Sequence, residues 1–441
     1  MEALRVTTRP GVPPGSVLTV GFGSAVAMWA VGYLSRLPAV QLPSPVLLAL
    51  VLACLGGGGW ALGRYANLGW RHGAAAGLCT GLINLLVLGS FLAGGRPSAI
   101  VPSALLWLPG SILLAVSLSA SGAAMGARWF SREAPYQNWV AAFVRVTIVA
   151  ALLLLVVGGL VTSTDAGLAV VDWPNSFGFN MFLYPFSRMT GGIYYEHAHR
   201  LFGALVGVTT VALAVLLQLR EPRRWVRGLG WTAVAMVVVQ GVMGGLRVTG
   251  GFTWSSSLDA MRPNLVLAMV HGVFGQVFFA TLVALWAFTS TIWGRAEPSP
   301  RASARADHWL SALLVFLLFV QLILGAAQRH FSEFLIAHIA FGVAVVAPVA
   351  IHLGFRSWGL NEGEKLLQRL GLALVGAVAL QLLLGLGAFV AVRAAASGDL
   401  EAAVEVLLTT AHQGFGAVLL ASAVMLLCLN FRLLKPAPRR P

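Results

Sequence analysis

His199-Arg200-Leu201-Phe202-Gly203 opens a long apolar stretch, and its pattern, H-x-x-F-G, returns three more times down the chain. The further copies are His271-Gly272-Val273-Phe274-Gly275, His338-Ile339-Ala340-Phe341-Gly342 and His412-Gln413-Gly414-Phe415-Gly416. They are nearly evenly spaced, with room between neighbours for one further membrane crossing. Each begins a run long enough to span a bilayer as a helix. On a helix, residues i, i+3 and i+4 share one face, so the His, the Phe and the Gly of each copy point the same way. A glycine costs a helix about 1 kcal/mol relative to alanine and therefore needs a reason. Here it predicts space beside the imidazole for something flat, with the phenylalanine packing at its edge. Four such helices offer two pairs of facing imidazoles, the arrangement that holds a planar iron macrocycle from both sides. A histidine on an apolar helix can equally be a packed residue, but four copies in one register favour ligation.

Composition agrees with the class. Of 441 residues 58% are hydrophobic and only 10% charged, which with a mean hydropathy of +0.84 describes an all-α integral membrane protein. The net charge of +14 does not indicate nucleic acid, because the basic residues sit in short loops between apolar runs. They are almost all Arg, Lys365 and Lys435 being the exceptions, as in a GC-rich bacterial genome. Cys54, Cys79 and Cys428 all fall in apolar runs, with no C-x-x-C and no disulfide pattern. The first run follows Arg5 and Arg9 and lacks a small-residue cleavage site, so it reads as a retained span.

Twelve spans are expected, near 16–35, 44–63, 73–93, 102–127, 140–161, 198–219, 229–247, 264–287, 309–327, 336–355, 370–391 and 407–430. With the N-terminus cytoplasmic, the basic loops are all on the inside. They carry Arg64 and Arg71; Arg128 and Arg132; Arg220, Arg223, Arg224 and Arg227; Arg295, Arg301 and Arg305; and Arg356, Lys365 and Arg369. The tail adds Arg432, Lys435, Arg439 and Arg440, which places the C-terminus inside too. The four H-x-x-F-G helices then all enter from the outer face, with their histidines at one depth. The spans before the last three share a second phrase, Q-x-x-x-G: Gln240 to Gly244, Gln321 to Gly325 and Gln381 to Gly385. The fifth span carries Val156-Val157-Gly158-Gly159 in its place.

Three parts are expected: 1–135, a four-span module with neither phrase, structural or partner-docking in role; 136–306, a first four-helix half; and 307–441, a second. The halves are unlike at their outer ends. In the first, a long loop near 162–196 contains Thr162-Ser163-Thr164-Asp165, Asp172-Trp173-Pro174 and Glu196. In the second, the corresponding loop is short. Long loops at a site mouth are usually functional, so the first half reads as the chemical one. His197 lies two residues from His199 and faces away from it on a helix, so register selects His199. Arg200, Arg247, Arg329 and Arg393 lie on the outer side. Arg200 and Arg247 are the candidates to pair macrocycle propionates, with ordinary snorkelling as the alternative.

Residues about 140–433 resemble the haem A synthase family. The resemblance rests on Gly158-Gly159-Leu160-Val161-Thr162-Ser163-Thr164, Gly167-Leu168, Asp172-Trp173-Pro174, Glu196-x-x-His199-Arg200 and one His in each of the three later spans. It implies two pseudo-twofold-related four-helix bundles. It implies oxidation of a methyl group of haem O to a formyl group, through two hydroxylations and loss of water, giving haem A for terminal oxidases. On the matching positions, His199 and His271 would hold the substrate haem O, and His338 and His412 the iron of a haem b that relays electrons. Glu196 would act at the substrate, stabilising positive charge or moving a proton. The resemblance also implies the bacterial inner membrane and an electron donor that the residues do not identify. Spans 1–4 lie outside the family's usual eight-span pattern and could supply an assembly surface or a docking site for the farnesyltransferase that makes haem O. Some members carry a Cys pair in the first outer loop; this chain has none. Two rivals share the four histidines: a di-haem cytochrome moving electrons to or from a quinol, and a haem transporter or chaperone. The cytochrome does not account for Glu196 and the long loop, and the transporter would need just one exchangeable haem and no electron relay.

Overall fold

The computed structural model describes residues 14–37, 40–97, 99–129, 138–250, 264–294 and 297–437. Arg5, Arg9, Arg132, Arg295, Arg439 and Arg440 lie outside the described residues. The chain is an all-α protein with twelve helices long and apolar enough to cross a membrane among the described residues. They are α1 Pro14–Leu34, α2 Ser44–Ala66, α3 Trp70–Leu92, α4 Ala104–Arg128, α5 Trp139–Ser163 and α6 Gly192–Arg220. Then follow α7 Arg224–Thr249, α8 Leu265–Thr289 and α9 Ala304–Phe331. The last three are α10 Leu335–Leu360, α11 Lys365–Ala396 and α12 Ala402–Leu433. Leu105, Trp309, Ile336 and Leu383 stand fully outward, as apolar side chains do when the solvent is lipid.

Several helices run beyond the apolar windows. Helix α6 starts at Gly192 rather than 198, because its first turn is covered by a loop and so can carry Glu196 and His197. Helices α9 and α12 each begin with a polar first turn that carries an acid, Asp307 and Glu405, where an acid suits the positive end of the helix dipole. Helix α10 contains a π turn over Gly342–Val346. Pro348 explains it: proline has no N–H to give and its ring crowds the carbonyl one turn back, so the turn before it widens. Such turns frequently mark functional helices.

Two compact units are present. The first comprises residues 1–92 and 100–146. In it, glycines let helices touch backbone to backbone: Gly59 faces Ser119, Gly63 faces Ala123, and Gly122 and Gly126 face Gly56 and Trp60. This is the small-residue packing that associates helices where no hydrophobic force is available. Polar groups there are paired across helices, with Trp29 Nε1 donating to Asn84 Oδ1 at 3.0 Å and Thr80 Oγ1 to the Gly21 carbonyl at 2.9 Å.

The second unit comprises residues 93–99 and 147–441. It contains both sets of phrases. Two short strand pairs accompany the helices. An antiparallel hairpin, Asn175–Ser176 with Phe179–Asn180, lies in the outer loop, and a parallel pair joins Ser299–Arg301 to Leu434–Pro436. The turn Phe177-Gly178 has positive φ at both residues (53° and 77°), the geometry of a two-residue hairpin. The Asp172 carboxylate accepts from both of its amides, at 2.6 and 2.8 Å.

Candidate functional site

The four histidines come together as two pairs. His199 on α6 faces His271 on α8, with ring centres 6.3 Å apart and planes at 74°. His338 on α10 faces His412 on α12, with ring centres 6.1 Å apart and planes at 90°. This spacing can be tested against a shared metal ion. Two metal–nitrogen bonds of about 2 Å each, plus roughly 1 Å from each ring centre to its nitrogen, give roughly 6 Å. The ring-centre separation of each pair therefore suits one iron between two imidazoles.

Each ring is seated on a glycine of the preceding helix. A Cβ at Gly158, Gly325 or Gly385 would come within 3.0, 2.8 or 2.9 Å of Cε1 of His199, His338 or His412; at Gly244 it would come within 3.4 Å of His271. In the three tighter seats Nδ1 is the nearer nitrogen and Nε2 the farther, so Nε2 is turned away from the wall. Each ring also lies beside the backbone carbonyl one turn before that glycine, from Leu154, Gln240, Gln321 and Gln381 respectively. Nδ1 of His338 and of His412 also has a glutamine within hydrogen-bond distance, whereas Nδ1 of His199 and of His271 is buried without a hydrogen-bond partner.

The glycines of H-x-x-F-G serve differently from the sequence expectation. In three copies the missing side chain makes room not for a flat ligand but for a glutamine. A Cβ at Gly275 or Gly342 would come within 2.7 or 2.8 Å of Gln240 or Gln321 Nε2, and at Gly416 within 3.3 Å of Gln381 Nε2. Each carboxamide donates to the backbone carbonyl of the histidine on the next helix: Gln240 to His271 at 3.0 Å, Gln321 to His338 at 3.0 Å and Gln381 to His412 at 3.1 Å. Gln321 and Gln381 also lie 3.0 and 3.2 Å from Nδ1 of the same histidines. The two phrases are thus halves of one clasp. The glycine four residues after the glutamine exposes a carbonyl wall to the ring, and the glycine four residues after the histidine exposes the histidine carbonyl to the glutamine. Sequence reading found both phrases but not the clasp, which requires the register between neighbouring helices.

The outer loop between α5 and α6 is anchored to α6 and α7 beside the residues that carry and seat the first pair. Glu196 is only 4% exposed; its Oε2 accepts from the Val170 amide at 2.7 Å and its Oε1 from Arg200 at 2.8 Å. Three more donors of Arg200 go to loop carbonyls, of Asp172 at 2.6 Å, Asn175 at 2.9 Å and Val170 at 2.8 Å. Arg200 is therefore a loop anchor, with four of its five N–H groups engaged by the protein. Trp173 packs on Gly245, where any side chain would collide with the indole. His197 is fully buried, with Nδ1 3.1 Å from Ser176 Oγ and its ring 5.0 Å from that of Tyr184. Its place in the loop contacts fits the choice of His199 as the inward-facing residue. Burial pushes the Tyr184 phenol up, against the opposing pull of Arg188.

Arg247 is placed otherwise. It lies over Gly167, where a Cβ would come within 3.0 Å of its Cζ, and its Nε is buried without a hydrogen-bond partner. It is close enough to His199, His271 and Glu196 to act on their charges. A buried cation with an unanswered donor suits an incoming carboxylate. Arg329 is engaged by the Thr162 carbonyl and, at 3.2 Å, by Asp165. Arg393 lies over the Phe389 ring at 5.6 Å.

Comparison with known proteins gives the same direction. The family model COX15-CtaA, described as cytochrome oxidase assembly protein, matches residues 141–339, a range that includes three of the four histidines. The chain is 28% identical over 356 residues to a protein of Caulobacter sp. named Heme A synthase, covering 64% of this chain and 94% of that protein. It is 25% identical over 219 residues to one of the same name from Hyphomonas neptunium, covering 43% and 58%. A third, from Lysinibacillus sphaericus, is 25% identical over 207 residues, covering 46% and 60%. The chain thus spans nearly all of the first relative and less than two thirds of the other two. No solved structure matches it.

Proposed function

We infer the activity from membership: this chain belongs to the haem A synthase family and is a multi-pass membrane oxidoreductase that converts haem O to haem A. The reading of its parts is that His199 and His271 hold the substrate haem O and that His338 and His412 hold a haem b. The observation that carries it is the pair of His–His separations, 6.3 and 6.1 Å, each suited to one iron between two imidazoles. When bound, haem b supplies a one-electron carrier beside the substrate site. Every other task falls to the chain. His199 and His271 orient the substrate so that one edge meets the outer loop. Arg247 receives a propionate and fixes which edge that is. Glu196 and Arg200 hold the loop over the site, which excludes water and keeps the reacting methyl in one place.

The asymmetry of the halves supports the division. A long loop anchored on Glu196 and Arg200 joins α5 to α6, whereas only Ser332 to Phe334 separate α9 from α10. The inner membrane, with both termini cytoplasmic, is supported by Arg64, Arg128 and Arg220 in the last turns of α2, α4 and α6 and by Arg432 in that of α12. The farnesyltransferase that makes haem O is the proposed partner on the supply side.

The test is product analysis. The protein is expressed with a haem O synthase in a host that lacks haem A, and extracted haems are separated and weighed by mass spectrometry. A formyl haem is expected. Recovery of only haem B and unmodified haem O from intact, haem-loaded protein would sink the reading in favour of an electron-transfer cytochrome. A second expectation concerns the glycine seats. Gly325→Val is expected to drive the His338 ring off its line with His412, since even a Cβ there meets Cε1 at 2.8 Å. Absorption spectra of the purified variant should show haem lost from one site and kept at the other.

A further inference from the structure

Three of the four ligand histidines are clasped by a glutamine, and one is not. The exception is His199. The residue that would carry the amide, four before the glycine seat Gly158, is Leu154. Opposite it, Gly203 keeps the glycine of the phrase, yet a Cβ there would meet nothing within 4 Å. At Gly275, Gly342 and Gly416 the same space is filled by glutamine. The ring seat is retained at His199, where Gly158 approaches Cε1 as closely as its counterparts do. What is missing is the second bond, from the neighbouring helix to the histidine's own backbone.

That bond decides how a ligand helix can move. A glutamine bonded to the His carbonyl fixes the axial and rotational position of the helix carrying the ligand, not only the ring. In an apolar medium the freed amide would have no water to replace the bond. The α7–α8, α9–α10 and α11–α12 joints are pinned in this way; among the described residues the α5–α6 joint has no such bond to the histidine's backbone. A resident cofactor benefits from two pinned ligands. A haem that must enter as substrate and leave as product needs a ligand that can let go.

We propose that Gln240, Gln321 and Gln381 are positioning residues that pin His271, His338 and His412, and that Leu154 leaves His199 as the releasing ligand through which the substrate haem is exchanged. The proposal rests on the assignment of the first pair to substrate. It accounts for Q-x-x-x-G and H-x-x-F-G as one device at three of the four histidines.

The experiment measures haem transfer, not turnover. Full-length protein carrying His412→Ala, so that only the first pair is complete, is loaded with haem B in detergent. Transfer to excess apomyoglobin is followed by absorbance. Leu154→Gln, whose amide can cross the space at Gly203, is expected to slow transfer about tenfold, the lower end of what outer-shell partners of metal ligands contribute. In the reciprocal arm, with His199→Ala in place of His412→Ala, Gln381→Leu is expected to speed release from the second pair about tenfold. Electron paramagnetic resonance of the low-spin signal reports whether the imidazole planes have turned. Unchanged transfer in a folded Leu154→Gln protein overturns the proposal. Should that variant not fold, unchanged release from Gln381→Leu overturns it instead. If the unmodified first pair releases haem no faster than the second, the assignment of substrate to the first pair fails, and the proposal with it. A formyl product in the same cells would still leave the synthase activity standing.

Discussion

Glu196→Ala and Arg200→Ala are expected to show the same defect, a fall in haem A formation of about a hundredfold or more, because the two residues form one clamp. Their side chains are 5% and 9% exposed, and their ion pair is 2.8 Å long. Removing one member of a buried pair leaves the other charge uncompensated, typically a loss of about 3–5 kcal/mol. Here the loss falls on the loop from Thr164 to Gly191, because Glu196 also receives the Val170 amide and Arg200 three loop carbonyls. The measurement is formyl haem per protein, with limited proteolysis of the loop as a second reading that chemistry alone would not move. Glu196→Gln separates the two roles. It keeps an acceptor for the Val170 amide, so a positioning role predicts partial recovery and a protected loop. If Glu196 instead moves a proton, the Gln variant should be as inactive as the Ala variant while its loop stays protected.

This pair also marks where sequence reading ended. Glu196-x-x-His199-Arg200 was visible as a chemical element, since an acid one turn before a ligand is unusual in an apolar helix. Its partners were not visible, because Val170, Asp172 and Asn175 are remote in sequence and contribute backbone atoms, which leave no mark in residue types. The same limit explains Arg200. Position on the outer side made it a propionate candidate; the loop carbonyls that engage it depend on a fold that spacing does not specify. Arg247, equally placed by sequence, keeps a buried donor unanswered. The helices were legible because membrane crossing demands long apolar runs, and two pairs of histidines because a fixed phrase recurs four times at one depth; which histidine pairs with which came from the family resemblance. The π turn in α10 had a signal, Pro348, which an apolar window averages away. The purpose of Q-x-x-x-G needed two helices in register, and only the structure supplies that.

The largest expected effect of a single ligand change lies in the second pair. His338→Ala and His412→Ala are each expected to remove one low-spin haem from the purified protein and to lower haem A formation by about a hundredfold or more. The first pair should still bind. His199 and His271 sit on α6 and α8, seated on Gly158 and Gly244, and share no glycine seat or glutamine with the second pair. His199→Ala should remove substrate haem while leaving the low-spin haem at His338 and His412 intact. Haem content by extraction and difference spectra read both variants. The contrast between them carries the argument. If the chain were an electron-transfer cytochrome, each variant would lose one permanently held haem, and neither loss would touch a formyl product, because none would form in the unmodified protein. If the chain is a synthase with one resident and one exchanging haem, His412→Ala must strand haem O unoxidised on a first pair that still binds it. Accumulated haem O bound to His412→Ala protein is therefore the result that only a divided pair of sites produces.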